Sequence, residues 1–272
     1  YLSDSEMREV VGSDTYYGGS YDEGEAHCHP LNYALGIAKA AISAGAKLYE
    51  NTAAISYKVH DNHVRIKTQN GSIKADRVVL ACNGYLGNLE KSLTSKILPM
   101  NNYIVATKPL DDETVQKINP RDIAFADSRF VINYFRMSAD KRLLFGGGEN
   151  YSQELSKNIV PIVTKPLEKI YPFLKGIAID YAWGGKLAIT MNRLPFLTTL
   201  HHDKVISAQG YSGQGVALAS YSGKIVSEKI TGSGETFDIM SKIPRQSFPG
   251  GRFLRNPSMK IGMLYYSLLD RL

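Results

Sequence analysis

At 272 residues, with 43% hydrophobic and 21% charged positions, the chain is long enough for one large or two interleaved cores. No apolar run approaches the roughly 18 residues that a bilayer-spanning helix needs. The formal charge of +6, from 32 basic against 26 acidic residues, is scattered along the chain, which argues against nucleic acid as a partner.

In chain order, His27-Cys-His29 lacks a second ligand pair at zinc spacing, so no metal is expected; His29 is placed near a helix cap and Pro30 at the first helical position. Leu31, Ala34, Leu35, Ala38 and Ile42 recur at helical spacing up to a stop at Gly45. Strands are predicted from Ala53 to His60, His63 to Thr68 and Ser72 to Ala75, separated by Asp61-Asn62 and by Asn70-Gly71, a hairpin signal. Val78 to Cys82 is nearly all apolar, as in a parallel strand covered on both faces. Cys28 and Cys82 are too few for a disulfide framework, and free thiols point to a reducing, cytoplasmic compartment.

Further strands are predicted over Asn102 to Ala106, Phe130 to Arg136, Arg142 to Phe145 and Ile177 to Trp183, with a helix from Val160 to Tyr171 that bends at Pro166. After a strand from Asp203 to Ala208, a helix begins near Gly215. Its Val216, Ala219, Gly223, Val226 and Ile230 form a core-facing stripe, with Gly223 allowing close packing. Near the end, Arg245, Arg252, Arg255 and Lys260 precede an aromatic, apolar helix from Ile261 to Leu269. It is expected to dock on the domain rather than lie on a membrane surface.

The stretch Val205-Ile-Ser-Ala-Gln-Gly-Tyr-Ser-Gly-Gln-Gly-Val216 joins a buried strand to a helix through a glycine turn. Glycines let a flat or anionic ligand approach the backbone, and the helix N-terminus adds unpaired N–H groups and a positive dipole end. The same type of turn also serves as an ordinary tight connection. With Tyr181-Ala-Trp-Gly-Gly-Lys-Leu-Ala-Ile-Thr-Met-Asn-Arg-Leu-Pro-Phe196, Val78-Val-Leu-Ala-Cys-Asn-Gly-Tyr85 and Gly18-Gly-Ser-Tyr-Asp22, it resembles the FAD-dependent D-amino-acid oxidase and glycine oxidase superfamily. Ala81-Cys-Asn-Gly-Tyr-Leu-Gly87, Asp127-Ser-Arg-Phe-Val131, Asn133-Tyr-Phe-Arg136 and Leu144-Phe-Gly-Gly-Gly-Glu149 are most similar to its gamma-glutamylputrescine oxidase branch.

The resemblance implies an α/β fold, α+β overall, in which an incomplete Rossmann-like FAD-binding domain is interleaved with an antiparallel substrate sheet. The expected parts are 17–96 (cofactor), 97–187 (substrate), 188–236 (cofactor) and 237–272 (C-terminal extension). No strand, Gly-x-Gly-x-x-Gly turn and helix stands in sequence, so the chain is read as the C-terminal portion of a longer protein that would bind FAD poorly alone.

Flavin contact is expected from Val59, Gly84, Gly184, Gly185, Arg193, Gly210, Tyr211, Ser212, Gly213, Gln214 and Gly215. Gln214 stands where many relatives have His, and it cannot carry charge. No cysteine near Trp183 offers a covalent attachment, so FAD is expected to be non-covalent.

Tyr134 and Arg136 share a strand face, where the planar guanidinium suits a carboxylate; Trp183 is a candidate aromatic wall. No residue is assigned a catalytic role, because a flavin carries the chemistry itself. Oxidation of an amine or amino-acid C–N bond to an imine follows, with gamma-glutamylputrescine or a similar substrate and oxygen or another acceptor. The alternatives are a glycine, sarcosine or D-amino-acid oxidase, or a non-catalytic remnant or binding subunit.

Overall fold

The computed structural model describes residues 1–147, 154–251, 254, 257, 261 and 262. Its elements are α1 (Asp4–Val11), α2 (Pro30–Ser43), β1 (Ala54–Val59), β2 (Val64–Thr68), β3 (Ser72–Ala75), β4 (Val78–Leu80), β5 (Leu98–Thr107) and α3 (Asp112–Ile118). They continue as β6 (Phe125–Ala126), β7 (Tyr134–Met137), β8 (Leu143–Gly146), α4 (Val160–Ile170), β9 (Ile179–Ile189), β10 (Phe196–Leu200), β11 (Val205–Gln209), α5 (Gly215–Thr231) and α6 (Glu235–Ser241). This is the α/β class that the sequence implies. The chain divides into two compact units, one holding Tyr1–Leu35 and Asn101–Gly185, the other Gly36–Met100 and Lys186–Gly262.

The first unit is organised by a five-stranded sheet in the order β6-β7-β8-β5-β9. Alternation along the strands sends Tyr103, Val105, Phe135, Met137, Leu143 and Phe145 to one face. There they pack with Val163, Leu167 and Ile170 of α4 and with Ile118 of α3. Phe135 stacks on Phe145 at 5.4 Å and takes the edge of Tyr171 at 5.7 Å. Ser13 Oγ donates to the Ile170 carbonyl, and the Tyr171 hydroxyl donates to that of Val11, which fastens the first residues to this core.

The strand expected from Phe130 begins only at Tyr134. The Asp127 side chain, 4% exposed, accepts from the backbone N–H groups of Arg129 and Asn133 and from Asn133 Nδ2. That carboxylate turns residues 128–133 into a closed loop, because it offers the backbone partners that a strand ladder would otherwise supply.

The second unit holds the antiparallel sheet β1-β2-β3, with the expected hairpin at Asn70-Gly71, and a sheet in the order β10-β11-β4. In the latter β11 runs antiparallel to β10 and parallel to β4, with Val205 opposite Val78 and Ser207 opposite Leu80. β11 is buried along its whole length because side chains cover both faces. Leu80, Leu86, Phe196 and Val205 pack on one side, and Ile206, Ala208, Ile225, Val226 and Phe237 on the other.

Three expectations about cover need correction. β4 is parallel as expected, yet Val79 is 40% exposed, so one face of that strand is uncovered among the described residues. The apolar stripe of α2 is also uncovered: no residue of the helix is buried. In α5 the buried positions are Ser222, Ile225 and Val226, whereas Val216, Ala219, Gly223 and Ile230 are exposed. Three-four spacing admits more than one stripe on a helix this apolar, and the sheet lies against the stripe through Ile225. Space around Gly223 is open, so it supports no close packing within the described residues.

Arg245, assigned above to a basic flank, is turned inward, with its guanidinium donating to the carbonyls of Pro195 and Met240. Arg252, Arg255, Lys260 and most of the expected terminal helix lie outside the described residues, as do Gly148 and Glu149.

Candidate functional site

Gly210 leaves β11 at φ +78°, and a Cβ there would stand 2.7 Å from Thr190 Cγ2. Its N–H donates to Asn83 Oδ1 at 3.2 Å, which ties the glycine turn to the Cys82-Asn-Gly-Tyr85 turn at the end of β4. Asn83, at φ +47°, was not singled out from the sequence; an Asn beside a Gly is the signal for such a left-handed position.

Tyr211 is buried. Its ring lies beneath Gly215, burial pushes its phenol up, and a hydrogen bond with Ser222 pulls the other way. Only its backbone is left to face a ligand. Ser212, at φ +52°, donates its N–H to the Ala188 carbonyl, and its Oγ accepts from the N–H of Thr190. Gly213 follows at φ +102° with nothing within 4 Å of a built Cβ. Gln214 then caps α5 without a side-chain hydrogen bond, and Gly215 opens the helix.

The glycines therefore differ in what makes them glycine. Gly84 has no room for a side chain, since a Cβ would lie 2.5 Å from the Lys186 carbonyl oxygen, and Gly184 would meet the Tyr103 ring at 2.7 Å. Gly210 is crowded and left-handed, and Gly213 is left-handed alone. Gly215 is neither: its nearest neighbours would be ordinary contacts at 3.6 and 3.8 Å from Tyr211. Among the glycines of this turn it is the one that neither packing nor backbone conformation requires.

Beside it runs the turn before β10, where the Arg193 N–H donates to Thr190 O and the residue takes φ +61°. The Arg193 side chain is exposed and has no ionic partner among the described residues. Thr190 Oγ1 donates to the Leu194 carbonyl, Asn192 Nδ2 to that of Pro244, and Arg245 Nη2 to that of Pro195. The Arg245 guanidinium lies 5.5 Å from the Phe196 ring centre. Val59 is elsewhere in this unit, paired with Val64 and packed on the Leu80 cluster.

In the first unit, Tyr134 and Arg136 lie on the sheet face opposite the core, between the buried Phe135 and Met137. The Tyr134 ring crosses β8 at Gly146, where a Cβ would stand 2.1 Å from it, and the hydroxyl donates to Asn102 Oδ1 on β5. Burial pushes the phenol up to about 12, against the pull of that hydrogen bond. Arg136 Nη1 donates to the Met137 carbonyl at 3.1 Å and pairs with no carboxylate among the described residues. Trp183 stands on β9, 44% exposed, and Gly185 is half-buried.

The model of the DAO family, described as FAD dependent oxidoreductase, matches residues 1–229. The chain belongs to this family. It is 39% identical over 274 residues to a probable oxidoreductase OrdL of Rhizobium meliloti, aligning 100% of this chain with 63% of that protein. It is 35% identical over 272 residues to the gamma-glutamylputrescine oxidoreductase of Escherichia coli, again 100% of this chain and 63% of the relative. A glycine oxidase from Bacillus cereus shares the fold at a TM-score of 0.73 and 19% identity, over 90% of this chain and 67% of that one. The chain thus spans about 63% of the length of these two curated relatives.

FAD is the cofactor of the DAO family, and the glycine turn fits it. Gly213, with nothing within 4 Å of a built Cβ, and Gly215, which meets only Tyr211 at ordinary contact distance, lie at an uncapped helix N-terminus, and Asn83 holds the Gly210 N–H just before them. The described residues contain no cluster of three or more His, Cys, Asp or Glu side chains that could hold a metal. His29 Nδ1 instead accepts from the Asn32 N–H in the first turn of α2. Among the described residues no helix is long and apolar enough to cross a membrane.

Proposed function

We propose that the protein carrying this chain binds FAD non-covalently and oxidises the C–N bond of an amine to an imine, which water then hydrolyses. The observation that carries the reading is Gly215, whose missing side chain the fold does not need, at the mouth of an open helix N-terminus. Bound FAD would supply the electron acceptor, reoxidised by oxygen or another carrier. The backbone from Gly213 to Gly215 would lie against it, and the positive end of α5 would favour negative charge there. Gln214 adds hydrogen-bonding capacity without charge. Arg193 would extend its unpaired guanidinium to the same cofactor, while Asn83, Ser212 and Arg245 hold the backbone that presents it.

Of the remaining positions, Gly84, Gly184 and Gly210 would act by admitting the Lys186 backbone, the Tyr103 ring and the Thr190 side chain at close range, not by touching the flavin ring. In this reading the second unit serves the cofactor and the sheet of the first unit serves the substrate. Tyr134, Arg136 and Trp183 line that part, and Arg136 would take a carboxylate. The similarity to gamma-glutamylputrescine oxidoreductase supports an amine that bears an amino-acid group.

The test is Gly215→Val in the full-length protein. Flavin content, read from the absorption spectrum, should fall while the melting temperature stays within a few degrees of wild type. A variant that keeps full flavin and full stability would reduce the turn to a structural connection.

A further inference from the structure

The open face of the first unit's sheet holds a polar contact that the assignment of Tyr134 and Arg136 does not use. Register aligns Tyr134 with Gly146 and Gly146 with Ile104, so Asn102 stands two residues further along β5 on the same face. Gly146 is small because the Tyr134 ring passes over it to reach Asn102. The contact therefore occupies two residues and a glycine.

That contact fixes which way the Asn102 amide points. Its Oδ1 accepts from the Tyr134 hydroxyl, which stays protonated at any physiological pH because burial holds the phenol near 12. The Nδ2 group is left as a donor with no partner among the described residues, unlike Asn101, whose Nδ2 donates to the Glu154 carbonyl. Arg136 adds donors on the same face. The one acidic residue in the strands of this sheet, Asp180, is taken by Arg142. The described strands thus offer donors on this face and no unpaired carboxylate, which suits a ligand with oxygen acceptors.

One acceptor cannot serve both groups. Arg136 is aligned with Leu144 and Leu144 with Ala106, four residues from Asn102 on β5 and two strands away. Strand spacing and rise put the two Cα atoms about 16 Å apart, and Arg136 Nη1 is held at the Met137 carbonyl, one step along β7 away from Asn102, so in this arrangement the two donors do not converge on one carboxylate. The donors must read separate oxygens on an elongated molecule.

Resting on the substrate reading of this face, we propose that Asn102 is a specificity-determining residue whose Nδ2–H donates to an amide carbonyl of the amine, while Arg136 holds its carboxylate. Tyr134 is then a positioning residue that acts through Asn102. A substrate with a carboxylate and an amide carbonyl several bonds apart fills both positions, whereas glycine or sarcosine fills only one.

The experiment compares gamma-glutamylputrescine with its analogue in which the amide carbonyl is a methylene, using full-length wild type, Asn102→Ala and Tyr134→Phe, each loaded with FAD. A neutral hydrogen bond corresponds to about a 2- to 12-fold effect, so Asn102→Ala should lower kcat/KM by that factor for the amide, mainly through KM. The methylene analogue should be unaffected. Tyr134→Phe keeps the ring over Gly146 and removes only the hydroxyl, so it should reproduce part of the loss with unchanged flavin spectrum and melting temperature; it also carries the test if Asn102→Ala fails to fold.

Equal losses on both amines, or none on either, overturn the Asn102 assignment and leave the flavin reading standing. If loaded wild type oxidises neither amine, the substrate reading falls, and this inference falls with it.

Discussion

The glycine turn of the second unit and the open sheet face of the first are built from different materials. The turn is a backbone construction: left-handed residues, a helix end and glycines, held by Asn83, Thr190 and Arg245 from behind. The sheet face is made of side chains, and its Tyr134–Asn102 contact links residues on strands separated by a third. A backbone site tolerates almost no added atom but is indifferent to most side-chain chemistry; a side-chain site behaves the other way.

The largest effect that sharpens this contrast is expected from Gly84→Ala. The new methyl would stand 2.5 Å from the Lys186 carbonyl oxygen and 2.9 Å from that of Leu187, and these backbone atoms of β9 have little room to relax. Overpacking of that kind should cost about 3 kcal/mol, visible in urea unfolding, whereas Gly215→Ala should cost none. Equal destabilisation by the two would erase the distinction between glycines that the fold needs and the one it does not.

On the sheet face, Arg136→Met removes charge while keeping length. A charge-assisted hydrogen bond is worth about 1.5–3 kcal/mol, so kcat/KM for a carboxylate-bearing amine should fall roughly 10- to 150-fold, with little change for an amine lacking the carboxylate. The melting temperature should hardly move, since the guanidinium is tied only to the Met137 carbonyl. Equal kinetic losses would mean that Arg136 supports the sheet.

The smallest expected effect is on the alkaline side. Tyr134 has a folded-state value near 12 against an ordinary 10, mainly from burial. A raised phenol binds its proton more tightly when folded, so its contribution is complete below pH 10 and is lost as pH rises toward 12. Two units correspond to at most about 2.7 kcal/mol, and partial exposure reduces this to about 1 kcal/mol. Tyr134→Phe should therefore flatten the fall in stability between pH 10 and 12; an unchanged slope would place that titration elsewhere.

How much could be seen beforehand follows the same division. The hairpin at Asn70-Gly71, the β11 strand and the helix from Gly215 were legible because local residue types dictate them. Gly210, Gly213 and Gly215 mark the turn between β11 and α5, although sequence does not say which of them packing or backbone conformation requires. Asn102 left no mark, since only strand register brings it to Tyr134, and register is a property of the assembled sheet. Arg245 misled for a related reason: a guanidinium that donates to backbone carbonyls looks in sequence like any surface cation. The residues from Phe130 to Asn133 read as strand in sequence because the apolar run hides the effect of the Asp127 carboxylate that closes the loop.

The hydrogen bond between Gly210 and Asn83 spans 127 positions of sequence, and β4 finds its parallel partner β11 across the same interval. A ribosome adding about 5–20 residues per second leaves β4 waiting roughly 6–25 s before that partner emerges. During this interval an apolar strand with an unpaired edge is available to other nascent chains. Production of the protein should therefore respond to the pace of translation between codons 83 and 210 and to chaperones that shield strand edges, because the turn cannot close until its distant half has been made.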